Sequence, residues 1–152
     1  MKKILVMGIG NILMGDEGIG IHAINEFKKL NNIPDAVTIL DGGTGGFHLL
    51  SYLQEYPKII MVDAALNNDP EGTVKVIKPK FASDFPKGLS AHDIGLKDLI
   101  EAIALLDKLP EIYLIIVSIK VFKSMTMELS PTISQTIPQV LSEINSVLRF
   151  IQ

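Results

Sequence analysis

The chain has 152 residues, of which 47% are hydrophobic and 20% charged, and its formal net charge is −3. This length predicts a single domain, residues 1–152, and the acidic balance without any basic cluster argues against a nucleic-acid-binding protein. The absence of cysteine excludes disulfides, thiolate metal sites and a cysteine nucleophile. No apolar run reaches the ~18 residues of a membrane span, and without a targeting segment the expected compartment is the cytoplasm.

Short apolar runs alternate with amphipathic segments along the chain. In order, the patterns predict a strand over 3–9, a helix over 18–30, a strand over 36–41, a helix over 45–54, strands over 58–64 and 73–78, a helix over 93–107, a strand over 112–119 and a helix over 132–151. Nearly continuous apolar strands are typical of a sheet covered on both faces. The prediction is an α/β fold, a three-layer α/β/α sandwich whose central sheet is mostly parallel and has about five strands.

The helical patterns separate the three histidines. His22 and His48 lie opposite the apolar stripes of their helices, which predicts that both face solvent. His92 lies four residues before Leu96 and therefore continues the buried stripe of the third helix. It falls within Ser90-Ala-His-Asp93, a predicted capping box that follows the long irregular segment 79–91. In the last helix Pro131 suits the first position, and Pro138 is expected to kink or restart the helix.

The first strand runs into a glycine-rich segment, GIGNILMGDEGIG at 8–20. A dinucleotide fingerprint needs a glycine where Leu13 stands, and the lysine of a phosphate-binding loop is absent. Asp16 and Glu17 would also repel a phosphate. Asp41, at the end of the second strand, does imitate a ribose-binding acid, so a nucleotide-binding domain remains an alternative.

Carboxylates in this loop favour a cation instead. Glu17 follows strand one and Asp63 ends strand three, and an acid on a buried strand is costly unless it is paired or binds a ligand. Because parallel sheets place their sites at the carboxyl edge, these acids and His92 form a candidate metal-binding set of two oxygens and one nitrogen. For Asp16, a purely structural role near the positive end of the first helix is equally consistent with the sequence.

Five blocks together carry a family resemblance: MGIGNILMGDEGIG, ILDGGTGG, IIMVDAA, LSAHDIGL and ELSPTI. With these blocks in this order, the sequence resembles the nickel–iron hydrogenase maturation endopeptidases over about residues 3–145. The resemblance implies a protease that removes a C-terminal extension from the hydrogenase large-subunit precursor after nickel insertion, with a maturation chaperone as a possible further partner.

Carried onto this sequence, the metal-contacting and catalytic residues of that family correspond to Glu17, Asp63 and His92. Asp41 and Gly42 fall in the block that supports the site, and Asp16 adjoins it. The resemblance implies that nickel arrives with the substrate and serves as the recognition element. Two mechanisms remain open, a nickel-assisted hydrolysis and an aspartic-type reaction in which Glu17 and Asp63 share a proton. A non-catalytic nickel-checking module is the alternative function.

Overall fold

The structure is a computed structural model, and it describes residues 3–89, 96–106, 110–120 and 125–152. The strands are β1 (Ile4–Gly8), β2 (Val37–Asp41), β3 (Lys58–Leu66), β4 (Val74–Ile77) and β5 (Glu111–Ile119). The helices are α1 (Ile19–Phe27), α2 (Leu50–Glu55), α3 (Leu96–Leu106), α4 (Pro131–Ser134) and α5 (Ile137–Ile151). Single turns of 3₁₀ helix cover Gly15–Gly18, Phe47–Leu49 and Ala82–Asp84. None of the helices in these four described ranges has the length and apolar character needed to cross a bilayer.

The five strands form one sheet in the order β2-β1-β3-β5-β4. All neighbouring pairs are parallel except β4 with β5, which is antiparallel. Only residues 67–73 separate β3 from β4, too few for the crossover of about a dozen residues that a second parallel strand requires, so β4 runs antiparallel to β5, which lies between it and β3. The sequence prediction of a mostly parallel five-stranded sheet is therefore confirmed.

Two apolar layers cover the sheet. Alternate residues of the strands pack on one face with α1 and α5, including Val6, Val62 and Ile115. The intervening residues pack on the other face with α2 and α3, including Met7, Met61 and Leu114. The predicted α/β/α sandwich is confirmed by these two cores. The chain leaves β1 into α1 on one face, and after β3 and β4 it enters α3 on the other face, so the carboxyl ends of β1 and β3 form the switch point where such sheets place a ligand crevice.

Two differences from the predicted elements have local causes, and one prediction falls outside the described residues. Strand β3 continues to Leu66 instead of ending near residue 64, because Ala65 and Leu66 still pair with Ser118 and Ile119 of β5. The last predicted helix is two helices, and Pro138 lies in the first turn of α5, where proline needs no amide hydrogen bond. The predicted capping box of Ser90 and Asp93 lies outside the described residues.

Candidate active site

Glycines allow the segment after β1 to pass very close to the sheet. A Cβ on Gly20 would collide with the carbonyl oxygens of Ile9 and Val62, so α1 can approach β1 and β3 only with glycine there. A Cβ on Gly10 would collide with the carbonyl oxygen of Glu17. The glycines thus fold the segment 8–20 compactly over the carboxyl edge, which is a packing role and needs no bound phosphate.

Glu17 lies in the 3₁₀ turn Gly15–Gly18, which packs against β3. The side chain is half-buried, whereas its neighbour Asp16 is 2% exposed. The turn is reached through Gly15, whose φ of 60° suits glycine far better than other residues.

Asp63 is completely buried on β3, the strand against which the turn of Glu17 packs. Its carboxylate Oδ1 accepts a hydrogen bond of 2.8 Å from the backbone N–H of Ala64. Val62 pairs with Gly8, the last residue of β1, so Asp63 lies one residue beyond the end of that neighbouring strand. It is therefore at the crevice, although β3 itself continues to Leu66. Asp63 lies two residues from both Met61 and Ala65 and so shares their face of the sheet, which α2 and α3 cover.

Asp41 and Gly42 join the end of β2 to the glycine segment. The exposed Asp41 accepts a hydrogen bond of 2.9 Å from the N–H of Gly43 through its Oδ1. The N–H of Gly42 donates to the carbonyl of Gly8 at 2.8 Å, and that of Gly10 donates to the carbonyl of Gly43 at 2.8 Å. The two backbone bonds fix the loop after β2 against the loop after β1, and the Asp41 carboxylate closes the turn at Gly43.

Asp16 is anchored to a distant segment. Its Oδ1 accepts a hydrogen bond of 2.7 Å from the N–H of Ser130, and its Oδ2 accepts one of 2.8 Å from the Ser130 hydroxyl. Ser130 is the residue that begins α4. Asp16 thus has a structural role at the start of α4, since its carboxylate accepts both hydrogen bonds from Ser130.

The segment before α4 pairs with the glycine segment, a feature that the sequence patterns did not reveal. The N–H of Thr126 donates to the carbonyl of Leu13 at 2.8 Å, and the N–H of Gly15 donates to the carbonyl of Thr126 at 2.8 Å. Met14 and Thr126 form an isolated parallel bridge. In this part of the sequence, Ser130-Pro131 predicts the start of a helix, but it does not predict that Thr126 pairs with the glycine segment.

The third predicted ligand, His92, lies outside the described residues. Among the residues that the structure does describe, no group of three or more histidine, cysteine, aspartate or glutamate side chains is placed to hold a metal ion. Of the other two histidines, His48 is exposed as predicted. The prediction for His22 is wrong: the residue is half-buried, and its Nε2 is buried without a hydrogen-bond partner among the described residues.

A groove of about 800 Å³ opens at the opposite, amino edge of the sheet, beside Tyr56, Lys78 and Glu111. It holds none of the strand-end acids of the carboxyl edge. The Lys78 Nζ donates to Glu111 Oε1 at 2.8 Å, which raises the pKa of Lys78 and lowers the pKa of Glu111. The lysine also lies 5.1 Å from the ring centre of Tyr113. These charges are already paired, so the groove is a poorer candidate for chemistry than the crevice.

The fold and the crevice define a class: an α/β/α sandwich with carboxylates at the switch point of its sheet. The sequence model of the HycI hydrogenase maturation protease family matches residues 21–147. This chain belongs to the hydrogenase maturation protease family.

Individual relatives agree with this assignment. The hydrogenase 2 maturation protease of Escherichia coli is 30% identical over 149 residues, covering 97% of this chain and 91% of the relative. The hydrogenase expression/formation protein HupD of Bradyrhizobium diazoefficiens is 41% identical over 114 residues. That match covers 72% of this chain but only 58% of the HupD protein. The solved structure of the hydrogenase maturating endopeptidase HybD from E. coli superposes with a TM-score of 0.86 at 28% identity, covering 97% of this chain and 92% of that one.

Proposed function

We propose that this protein is an endopeptidase that removes the C-terminal extension of a nickel–iron hydrogenase large-subunit precursor. In this proposal Glu17, Asp63 and His92 bind the nickel that the precursor carries, so that precursor without nickel is not cut. The metal belongs to the substrate and is not a resident cofactor of the protease.

The observation that carries the proposal is the packing of the Glu17 turn against β3, the strand of Asp63, in a member of this family. Both carboxylates belong to the carboxyl edge at the switch point, where parallel α/β sheets place their ligands. Asp63 is fully buried on this strand, a position in which a carboxylate is kept only where it is paired or binds a ligand.

Chain connectivity limits how far His92 can lie from Asp63. Leu89 forms an antiparallel bridge with Ala65, two residues beyond Asp63, and the N–H of Leu66 donates to the carbonyl of Gly88 at 2.8 Å. His92 is three positions after Leu89 in the sequence, so covalent geometry alone limits the distance between their Cα atoms to ~11 Å.

Two carboxylates and an imidazole suit nickel and similar divalent ions, and the ion can keep further positions for its ligands in the precursor. In the proposed reaction the scissile carbonyl is polarised by the ion and water adds to the carbonyl carbon. The C–N bond then breaks, and the leaving amine takes a proton. The rival mechanism, in which Glu17 and Asp63 share one proton, needs no metal in the chemical step.

The test is to incubate the protein, with the maturation chaperone added, with nickel-loaded and nickel-free precursor and to measure the precursor mass. We expect a C-terminal mass loss only with loaded precursor. The E17Q and D63N variants should each lower the rate by about 100-fold or more, since even outer-shell partners of metal sites commonly contribute 10–100-fold. The matched control is E26Q, which removes the same charge from the exposed Glu26 and should cut at the wild-type rate.

The outcome also decides between the alternatives. If the protein binds loaded precursor but causes no mass loss, the result supports the alternative function, a non-catalytic nickel-checking module. Replacing nickel in the precursor by zinc separates the mechanisms, because the nickel-assisted reaction should change its maximal rate with the ion and the proton-sharing reaction should not. A nucleotide-binding domain would instead gain thermal stability from NAD or ATP.

A further inference from the structure

Three large apolar side chains stand exposed beside the proposed active site. Leu13 is 47% exposed, Met125 78% and Met127 59%. We call these three residues the Leu–Met rim. A group of exposed apolar side chains at one place on a protein surface is typical of an interaction site.

The backbone pairing explains why the three side chains share one face. Because Met14 pairs with Thr126 in a parallel bridge, Leu13 is level with Met125, and Met127 is level with Gly15. Met14 and Thr126 are half-buried, whereas Leu13, Met125 and Met127 next to them in the two segments are exposed. The rim therefore comes from two chain segments that lie side by side.

The rim is held firmly by polar contacts on both sides. The N–H of Leu13 donates to Asn11 Oδ1 at 3.0 Å, and the hydrogen bonds of Thr126 to Leu13 and Gly15 join the two segments. Three residues after Met127, Ser130 is bound by the buried Asp16. The backbone that carries the apolar side chains is thus fixed by hydrogen bonds, and Glu17 is the next residue after Asp16.

We propose that the Leu–Met rim docks an apolar stretch of the precursor beside the bond that is cut. This inference rests on the proposed function. Leu13 lies only four residues before Glu17 and is joined to Thr126 by a hydrogen bond, so the rim adjoins the place where the metal of the precursor would be held. Residues 9–15 and 125–127 carry no charge, which suits an apolar occupant better than a charged one. Flexible methionines adapt to such a surface and are enriched at interfaces.

The test compares the M125S/M127S double variant with wild type in the cleavage of nickel-loaded precursor. We expect KM to rise about tenfold with kcat unchanged, because the rim contributes to binding and does not touch the reacting atoms. The M125L/M127L variant, which keeps apolar side chains, should restore KM. The matched control is F150S: Phe150 is 77% exposed at the opposite edge, where Lys58 Nζ donates to the Ile151 carbonyl at 2.9 Å.

Each result has one reading. The melting temperature of the double variant shows whether it is folded, and the measurement is repeated with M125S alone. An unchanged KM in the folded variants contradicts docking at the Leu–Met rim but does not affect the proposed protease function. A change of molecular mass in light scattering with no change in KM also contradicts docking of the precursor at the rim, since the occupant would then be a second copy of this chain. Failure of the wild type to cut loaded precursor overturns the proposed function itself.

Discussion

The carboxylate of Asp16 accepts two hydrogen bonds from Ser130, one from the backbone N–H and one from the hydroxyl. The two residues are 114 positions apart in the chain, and Asp16 is buried. This pairing fastens the start of α4 to the turn that carries Glu17. It gives the acidic pair in the glycine segment two different tasks, since Asp16 holds the turn in place while its neighbour is half-exposed at the crevice.

Removing the Asp16 carboxylate should destabilise the protein more than removing the Ser130 hydroxyl. D16A leaves two donors of Ser130 without their acceptor and should lower the free energy of unfolding by about 2–3 kcal/mol, whereas S130A loses one hydrogen bond and should cost about 1 kcal/mol. Urea denaturation measures both values. The control is S134A in the exposed part of α4, which should change little. Equal stabilities of D16A and wild type would show that the pairing contributes nothing.

Glycine at position 20 should be indispensable for folding. In G20A the added methyl group would collide with two backbone carbonyl oxygens that cannot rotate away, so we expect a loss of at least about 3 kcal/mol or no folded protein. G43A provides the comparison, because its Cβ would meet nothing within 4 Å and only the positive φ of 58° opposes it. That variant should lose about 1–2 kcal/mol. Similar losses in the two variants would contradict the close approach of α1 to the sheet.

The sequence predicted the elements well wherever a local pattern determines them. All five strands and the buried stripe of α1 follow from periodicity, and Asp63 was identified because an acid on an apolar strand is unusual. The antiparallel direction of β4 could also have been derived from its short connection to β3. The partner of Asp16 could not, because no local pattern encodes a contact between residues 114 positions apart.

The errors have the same origin. His22 is on the polar side of α1 by its helical position, yet the surrounding chain buries its Nε2. The pairing of Thr126 with the glycine segment is a two-residue contact, too short to leave any periodicity. Periodicity reports the face of an element and not which loop covers it, so the segments around a site are the part that sequence reasoning misses.

Replacing Asp63 by asparagine should separate activity from stability. Asparagine keeps an oxygen that can accept the hydrogen bond from the Ala64 N–H, and it removes the cost of burying a charge. We expect D63N to melt no lower than wild type while cleavage of the precursor is lost. Calorimetry and the mass assay give the two values, with D35N at an exposed position as the control. A strong fall in melting temperature would assign Asp63 a structural role instead.

The ion pair at the amino edge should stabilise the fold slightly at neutral pH, lose that contribution in acid, and have no effect on activity. The hydrogen bond from Lys78 lowers the pKa of Glu111 below its usual 4.5. A carboxyl group with a lowered pKa stabilises the fold above that usual value, and the stabilisation disappears as the pH falls through the lowered pKa. The stability difference between wild type and E111Q should therefore be constant from pH 7 to pH 5 and shrink below about pH 4.5. It should be small, as for other surface pairs. A reduced cleavage rate in E111Q would make the amino-edge groove part of the site.

Removing metal from the protease before the reaction should leave its activity unchanged, because the proposed nickel arrives with the substrate. The protein is treated with EDTA, freed of chelator by gel filtration and mixed with nickel-loaded precursor. We expect the wild-type rate without any added metal. The control treats the precursor in the same way, which should abolish cleavage until nickel is inserted again. A treated protease that regains activity only after metal is returned to it would have a resident ion. Glu17, Asp63 and His92 would then hold that ion before the precursor binds, and nickel in the substrate would no longer explain why unloaded precursor is refused.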